Sequence, residues 1–227
     1  MSMEATAAEH DGYARPKWLA HHFYTPAQQF NTAKLGMWLF IAQEILFFGA
    51  LFVAYGVYRN WYPEMFKLAS HQLDKTLGAA NTLVLLFSSL MAALAVSAAQ
   101  KGKRMATGTY LLVTIACACV FLAIKFVEYK HKVDLGLLPG THFEPNLPHG
   151  VPSLPANSGS FFALYFLMTG LHALHVLVGI GVLTWIWIRN LRGAFSKENY
   201  TAVFVAALYW HFVDIVWIYL FPALYLI

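Results

Sequence analysis

Charge is what this sequence has least of. Asp, Glu, Lys and Arg make up 11% of its 227 residues, against about a quarter of a typical soluble domain. With 59% hydrophobic residues, the apolar excess cannot be hidden inside one water-soluble core of this size. Cysteine is nearly absent too. Cys117 and Cys119 are the only two; two apart on an apolar helix they point to opposite sides, so they cannot readily bridge and make no metal-spacing motif. The redox compartment therefore stays open. The formal charge of +4 is modest and does not signal nucleic acid as a partner. No phosphate loop, dinucleotide fingerprint, nucleophile elbow or zinc-protease motif occurs. No apolar core precedes a small-residue cleavage site, so no secretory signal peptide is expected.

What is there is apolar length. The composition predicts an all-α protein: an integral membrane bundle of five transmembrane helices. The spans are expected at about residues 33–58, 77–98, 105–129, 158–188 and 200–227. They form one transmembrane domain over residues 33–227, after a polar N-terminal tail over residues 1–32. The tail carries Glu4, Glu9, Asp11, Arg15, Lys17, His21 and His22, and its Trp18, Phe23 and Tyr24 suit a membrane surface. Arg59 to Thr76 reads as a wet loop. The second span carries a small-residue stripe, Ser88, Ala92, Ala95 and Ala99, fit for close helix contact. Residues 130–157, interrupted by Pro139, Pro145, Pro148, Pro152 and Pro155, read as a long outer loop. Its His131, His142 and His149 are expected to be solvated rather than to form a zinc site, because they include no short ligand pair.

Basic residues set an orientation. The tail and the turns after spans two and four hold Arg15, Lys17, Lys34, Lys101, Lys103, Arg104, Arg189, Arg192 and Lys197, nine against six on the other side. Short loops are where the positive-inside rule applies best. The N-terminus is therefore predicted inside and the C-terminus outside. No internal repeat and no pair of broken helices suggests a transporter.

A few ionisable groups interrupt the spans, and in hydrocarbon such groups normally face a bundle interior and pair. Counted from the inner ends at about 1.5 Å per residue, Glu44 lies about 11 residues in, His175 about 13 and His211 about 12. His172 at about 16 and Asp214 at about 15 fall nearly one turn further out. The depths predict one buried polar layer of Glu44, His175 and His211, and a second of His172 with Asp214. Two readings compete for these groups. In one they are interhelical glue; in the other they hold a metal or haem, with His175 and His211 as facing ligands, or relay protons. Bulky Leu174, Leu177, Trp210 and Phe212 beside them favour glue.

Four motifs together resemble subunit III of the haem–copper cytochrome oxidases. Tyr209-Trp210-His211-Phe212-Val213-Asp214-Ile215-Val216-Trp217 is similar to that family's closing motif. Gly170-Leu171-His172-Ala173-Leu174-His175-Val176 with Gly179 is similar to its paired-histidine signature. Glu44 in Glu-Ile-Leu-Phe-Phe matches its carbodiimide-reactive membrane carboxylate. Phe126, Glu128 and Tyr129 match a Phe-Glu-Tyr helix end. The resemblance runs from about Leu35 to the C-terminus. It is to the five-span form found in some bacterial oxidases, in quinol oxidases and in accessory subunits linked to nitric oxide reductases. Lys125 departs from the family pattern, where many members carry Gln.

The resemblance implies a non-catalytic subunit of a cytochrome c oxidase in aerobic respiratory electron transport, or else subunit III of a quinol oxidase or an accessory subunit of a nitric oxide reductase. It would bind no haem, copper or other metal and hold no catalytic residue. Haems and copper would sit in partner subunits. The implied partners are subunit I in direct contact, subunit II, a small subunit IV, membrane phospholipid, and a respiratory supercomplex. The implied place is the bacterial inner membrane, and the implied work is to steady subunit I and support proton uptake and translocation. An independent haem-binding cytochrome is the rival of another class; an intrinsic Soret band would distinguish it.

Overall fold

Thr25 opens the first helix. Its hydroxyl accepts from the Gln28 amide at 3.1 Å, and Pro26 occupies the first turn, where a missing N–H costs nothing. The computed structural model describes residue 16, residues 18–140, 143, 145–146 and 154–227. Of the polar groups singled out above, Glu4, Glu9, Asp11, Arg15, Lys17, His142 and His149 lie outside the described residues. The helices are α1 (Pro26–Trp61), α2 (Pro63–Ser70), α3 (Lys75–Gln100), α4 (Arg104–Asp134), α5 (Gly159–Leu191) and α6 (Thr201–Tyr225), with a 3-10 turn at Ala156–Ser158. Five of them, all but α2, are long and apolar enough to cross a membrane.

Helix α3 packs on α4 and α6, and α5 on the same two, so α3–α6 make a four-helix bundle. The expected small-residue stripe lies in it: Ser88, Ala92, Ala95 and Ala99 are all buried. Tight basic turns join consecutive helices. Gly102 and Gly193 adopt the left-handed region, with φ of 68° and 75°, just past the ends of α3 and α5. Helix α1 stands outside the bundle, parallel to α6 and touching α5 lightly. Phe30 meets Tyr200 and Phe204 near one end of that pair, and the Tyr55 hydroxyl donates to the Ala223 carbonyl near the other. Leu46, Val53, Leu83 and Phe126 turn outward, as a lipid-facing surface requires.

Three boundaries depart from expectation. Residues 59–76 are not a wet loop throughout. Helix α2 sits within them, and its Met65, Phe66, Ala69 and Ser70 recur at one, three and four, giving it an apolar face. Phe66 is fully buried between Tyr55 and Phe161, and Ser70 donates to the Ile227 carbonyl at 3.1 Å. Helix α1 begins at Pro26, seven residues before the apolar run at Ala33, because the cap and not hydropathy sets its start. Helix α4 continues to Asp134, five residues past Tyr129, into what reads in sequence as the outer loop.

Candidate functional site: polar groups inside the membrane-spanning bundle

The polar side chains on the spans fall into four groups. The first joins α1 to α5. Glu44 lies midway between Pro26 and Trp61, and His175 midway between Gly159 and Leu191. Their Oε2 and Nε2 are 3.2 Å apart. The His175 Nδ1 is 2.7 Å from the Leu171 carbonyl, which can only accept, so Nδ1 carries a proton. Nε2 then either accepts from a protonated Glu44 or donates to its carboxylate. In both forms the pair shares one proton. The ring of Phe48 meets that of His175 edge to face, centres 5.1 Å apart, and Tyr209 donates to the His175 carbonyl at 2.9 Å.

His211, at a similar depth, turns elsewhere. Its Nδ1 meets the Ser89 hydroxyl of α3 at 2.7 Å, so Glu44, His175 and His211 do not close into one layer. About two turns apart on α6, Trp210 donates to Ser88 at 2.8 Å and Trp217 to Thr82 at 3.1 Å. Together these bonds fasten α6 to α3. On its other side His211 borders an apolar groove of about 570 Å³ between α1 and α6, lined also by Trp38, Ile41, Phe48, Phe212 and Tyr219.

A third group, at the end of the bundle where α6 finishes, was only half visible in sequence. Lys125 Nζ donates to Glu128 Oε2 at 2.8 Å and to the Tyr225 hydroxyl at 2.7 Å. Glu128 Oε1 accepts from Tyr225 at 2.6 Å and from Tyr165 at 3.0 Å. The ammonium also stands 4.9 Å from the Trp217 ring centre. Every charged atom of the pair is satisfied from α4, α5 or α6. The family-like pattern points to Glu128 and Tyr129; it gives no role to Lys125. Spacing carries the missing signal, since Lys125, Glu128 and Lys132 continue the inward stripe of Leu111, Thr114, Ala118 and Phe121. Tyr129 itself bonds the Thr169 hydroxyl.

The fourth group has no hydrogen bonds. His172 and Asp214 are 1% and 2% exposed, and neither ring nitrogen nor carboxylate oxygen has a hydrogen-bond partner among the described residues. The two are not bonded to each other, so the expected second layer does not form as a direct pair. The Ser89 hydroxyl, which meets His211 Nδ1, lies beside Asp214 as well. His172 instead lies against Phe121 and Trp217, ring centres 5.5 and 5.3 Å away. Among the described residues no group of three or more His, Cys, Asp or Glu is arranged to hold a metal ion. Of the three histidines expected in the outer loop, His131 is described; it lies on α4 and is exposed. Cys117 and Cys119 are free thiols.

Comparison with known proteins agrees with the motifs. Residues 151–227 match the sequence model of a family described as cytochrome c oxidase subunit III. Across 194 residues the chain is 28% identical to a probable quinol oxidase subunit 3 of Staphylococcus haemolyticus (strain JCSC1435), covering 86% of this chain and 88% of that one. The protein of the same description from Staphylococcus aureus (strain USA300) gives the same identity and coverage. That of Staphylococcus saprophyticus subsp. saprophyticus is 28% identical over 197 residues, 87% of this chain and 90% of that one.

Proposed function

Since the chain belongs to the haem–copper oxidase subunit III family, we propose that it is the non-catalytic third subunit of a bacterial terminal oxidase. It stands in the plasma membrane with its N-terminus on the cytoplasmic side and carries no haem or copper of its own. Its partners are a catalytic subunit I, a subunit II and a small subunit IV. The observation that carries this reading is that His175 and His211 bond to different partners on different helices, Glu44 and Ser89. Two imidazoles spent separately on helix contacts are not a facing ligand pair. They are the polar fastenings that hold helices together where lipid supplies no hydrophobic drive.

The same pair gives the subunit a part in proton supply. Glu44 and His175 share one proton in the middle of the membrane, and their side chains keep 10% and 17% of their surface open. Glu44→Gln removes the shared acid–base couple but keeps a hydrogen bond. It is expected to leave assembly and the initial rate of oxygen consumption intact and to shorten sustained turnover. Oxygen-electrode traces of the purified complex read both phases, and loss of all consumption from the first turnover contradicts an accessory role. The apolar groove between α1 and α6 suits a phospholipid acyl chain, and lipid extracted from the washed complex tests this.

Two names attach to the electron donor. The family description favours cytochrome c, whereas the relatives' names favour a quinol. The intact complex, purified in mild detergent and offered each donor in turn, separates them, and an absorption spectrum of the separated subunit shows whether it has a Soret band of its own.

A further inference from the structure

Going inward from the Lys125–Glu128 pair, the bundle does not become apolar at once. Asn81, His172 and Asp214 are 0%, 1% and 2% exposed, and the amide, the imidazole and the carboxyl all lack a hydrogen-bond partner among the described residues. They come from the inward stripes of three different helices, α3, α5 and α6, while Lys125 comes from the fourth. Trp217 brings Lys125 and His172 to one place. Its ring centre lies 4.9 Å from Lys125 Nζ and 5.3 Å from that of His172. Its indole N–H reaches Thr82, the neighbour of Asn81. Asp214 sits three residues deeper on the same helix, about one turn.

The column has one wet end. A funnel of about 390 Å³ opens beside the α4 C-terminus, lined by His71, Gln72, Asp74, Glu128, His131 and Lys132. Glu128 belongs both to this funnel and to the buried cluster of Lys125, Tyr165 and Tyr225. Toward the other end the buried polar groups Ser88, Thr107, Thr114 and Asn190 all have partners, and apolar groups fill the rest. Ala92, Ala118, Leu111, Val176 and Leu183 are all at most 2% exposed. Trp210 lies against Gly179 so closely that an added Cβ would meet it at 2.8 Å.

Polar atoms stranded in a bilayer interior are costly and are rescued by partners or by water. Each of these three side chains offers acceptors, and Asn81 and His172 also offer donors, which suits water molecules bound to two to four polar groups each. We propose that α3–α6 enclose a file of ordered water that enters through the funnel at Glu128, passes Lys125, Asn81 and His172, and stops at Asp214. It is a hydrated half-channel, open to one side of the membrane only. The inference does not depend on which oxidase the subunit serves or on the Glu44–His175 pair. It makes Asp214 and His172 exchange hydrogen with the aqueous side at the α6 C-terminus and not with the other.

The test uses the assembled complex in lipid nanodiscs, with radiolytic hydroxyl labelling in oxygen-18 water read by mass spectrometry. Trp217 and Trp210 are both fully buried, share one chemistry and one helix, and lie on opposite sides of Asp214. Bound water labels what it touches, so Trp217 is expected to be labelled several-fold more than Trp210. Asn81→Leu, which removes a polar group at mid-file, is expected to bring Trp217 down to the level of Trp210. Trp217 labelled no more than Trp210 overturns the proposal, as does an assembled Asn81→Leu complex labelled like the wild type. Should Asn81→Leu fail to assemble, the wild-type comparison decides alone.

Discussion

Lys125 and Glu128 show what a charge needs in order to stay inside a membrane protein. The ammonium has a carboxylate and a tyrosine hydroxyl within 2.8 Å, and the carboxylate has two tyrosine hydroxyls on its other oxygen. Removing one partner of such a pair leaves an uncompensated charge and costs about 3–5 kcal/mol, while replacing both is much milder. Lys125→Met should therefore lower the temperature at which the subunit leaves the purified complex more than Lys125→Met with Glu128→Gln does. Equal losses in the single and double variants would show that the two charges are not coupled. Steric limits act at the same scale. A methyl at Gly179 would come within 2.9 Å of two Trp210 ring atoms, and overpacking of this kind costs about 1–3 kcal/mol. Gly179→Ala is expected to reduce thermal stability, with recovery in Gly179→Ala/Trp210→Phe, where the smaller ring gives way. How far the sequence revealed these residues follows from what each inference required. Counting along the spans put Glu44 level with His175, because depth along a helix is a one-dimensional quantity. It put His211 level with them too, yet direction around the axis decides the partner, and His211 faces Ser89. Lys125 stood out in sequence only as a departure from the family pattern, and its partners came into view only because the stripe it continues points inward.

Among the elements, α2 was the least legible. Eight residues with a proline at the start and a lysine inside do not rise above loop composition, and only the neighbours that bury Phe66 make the helix worthwhile. Most helical stability comes from tertiary packing of one face. Truncating a fully buried phenylalanine costs about 3–5 kcal/mol, which exceeds what so short a helix can hold by itself. Phe66→Ala is therefore expected to release α2 from the ends of α1 and α5, and to expose residues 62–74 to protease while the spans stay protected. Unchanged cleavage would mean that Ser70 and its bond to Ile227 hold the segment without Phe66. The long helices needed no such support to be recognised. Their hydropathy alone marks them, since a bilayer admits little else. Their ends depart by several residues because Thr25 and the run through Asp134 obey capping and solvation rather than apolar length.

For the molecule as a whole, the order of the helices in space differs from their order in the chain. Consecutive α3, α4, α5 and α6 are neighbours through short turns or one long loop, and α3 closes the ring by packing on α6. Helix α1 is the exception: α6 is its principal neighbour, with Phe30 against Phe204 near one end and Tyr55 against Ala223 near the other. Synthesis delivers these two partners far apart in time. Until α6 leaves the ribosome, α1 waits in lipid with little to lean on and with Glu44 lacking a permanent neighbour before α5 arrives. Nascent chains halted ahead of Thr201 should thus be recognised as unfinished by quality-control proteases, and reaching the final residues becomes the checkpoint that releases the subunit for assembly.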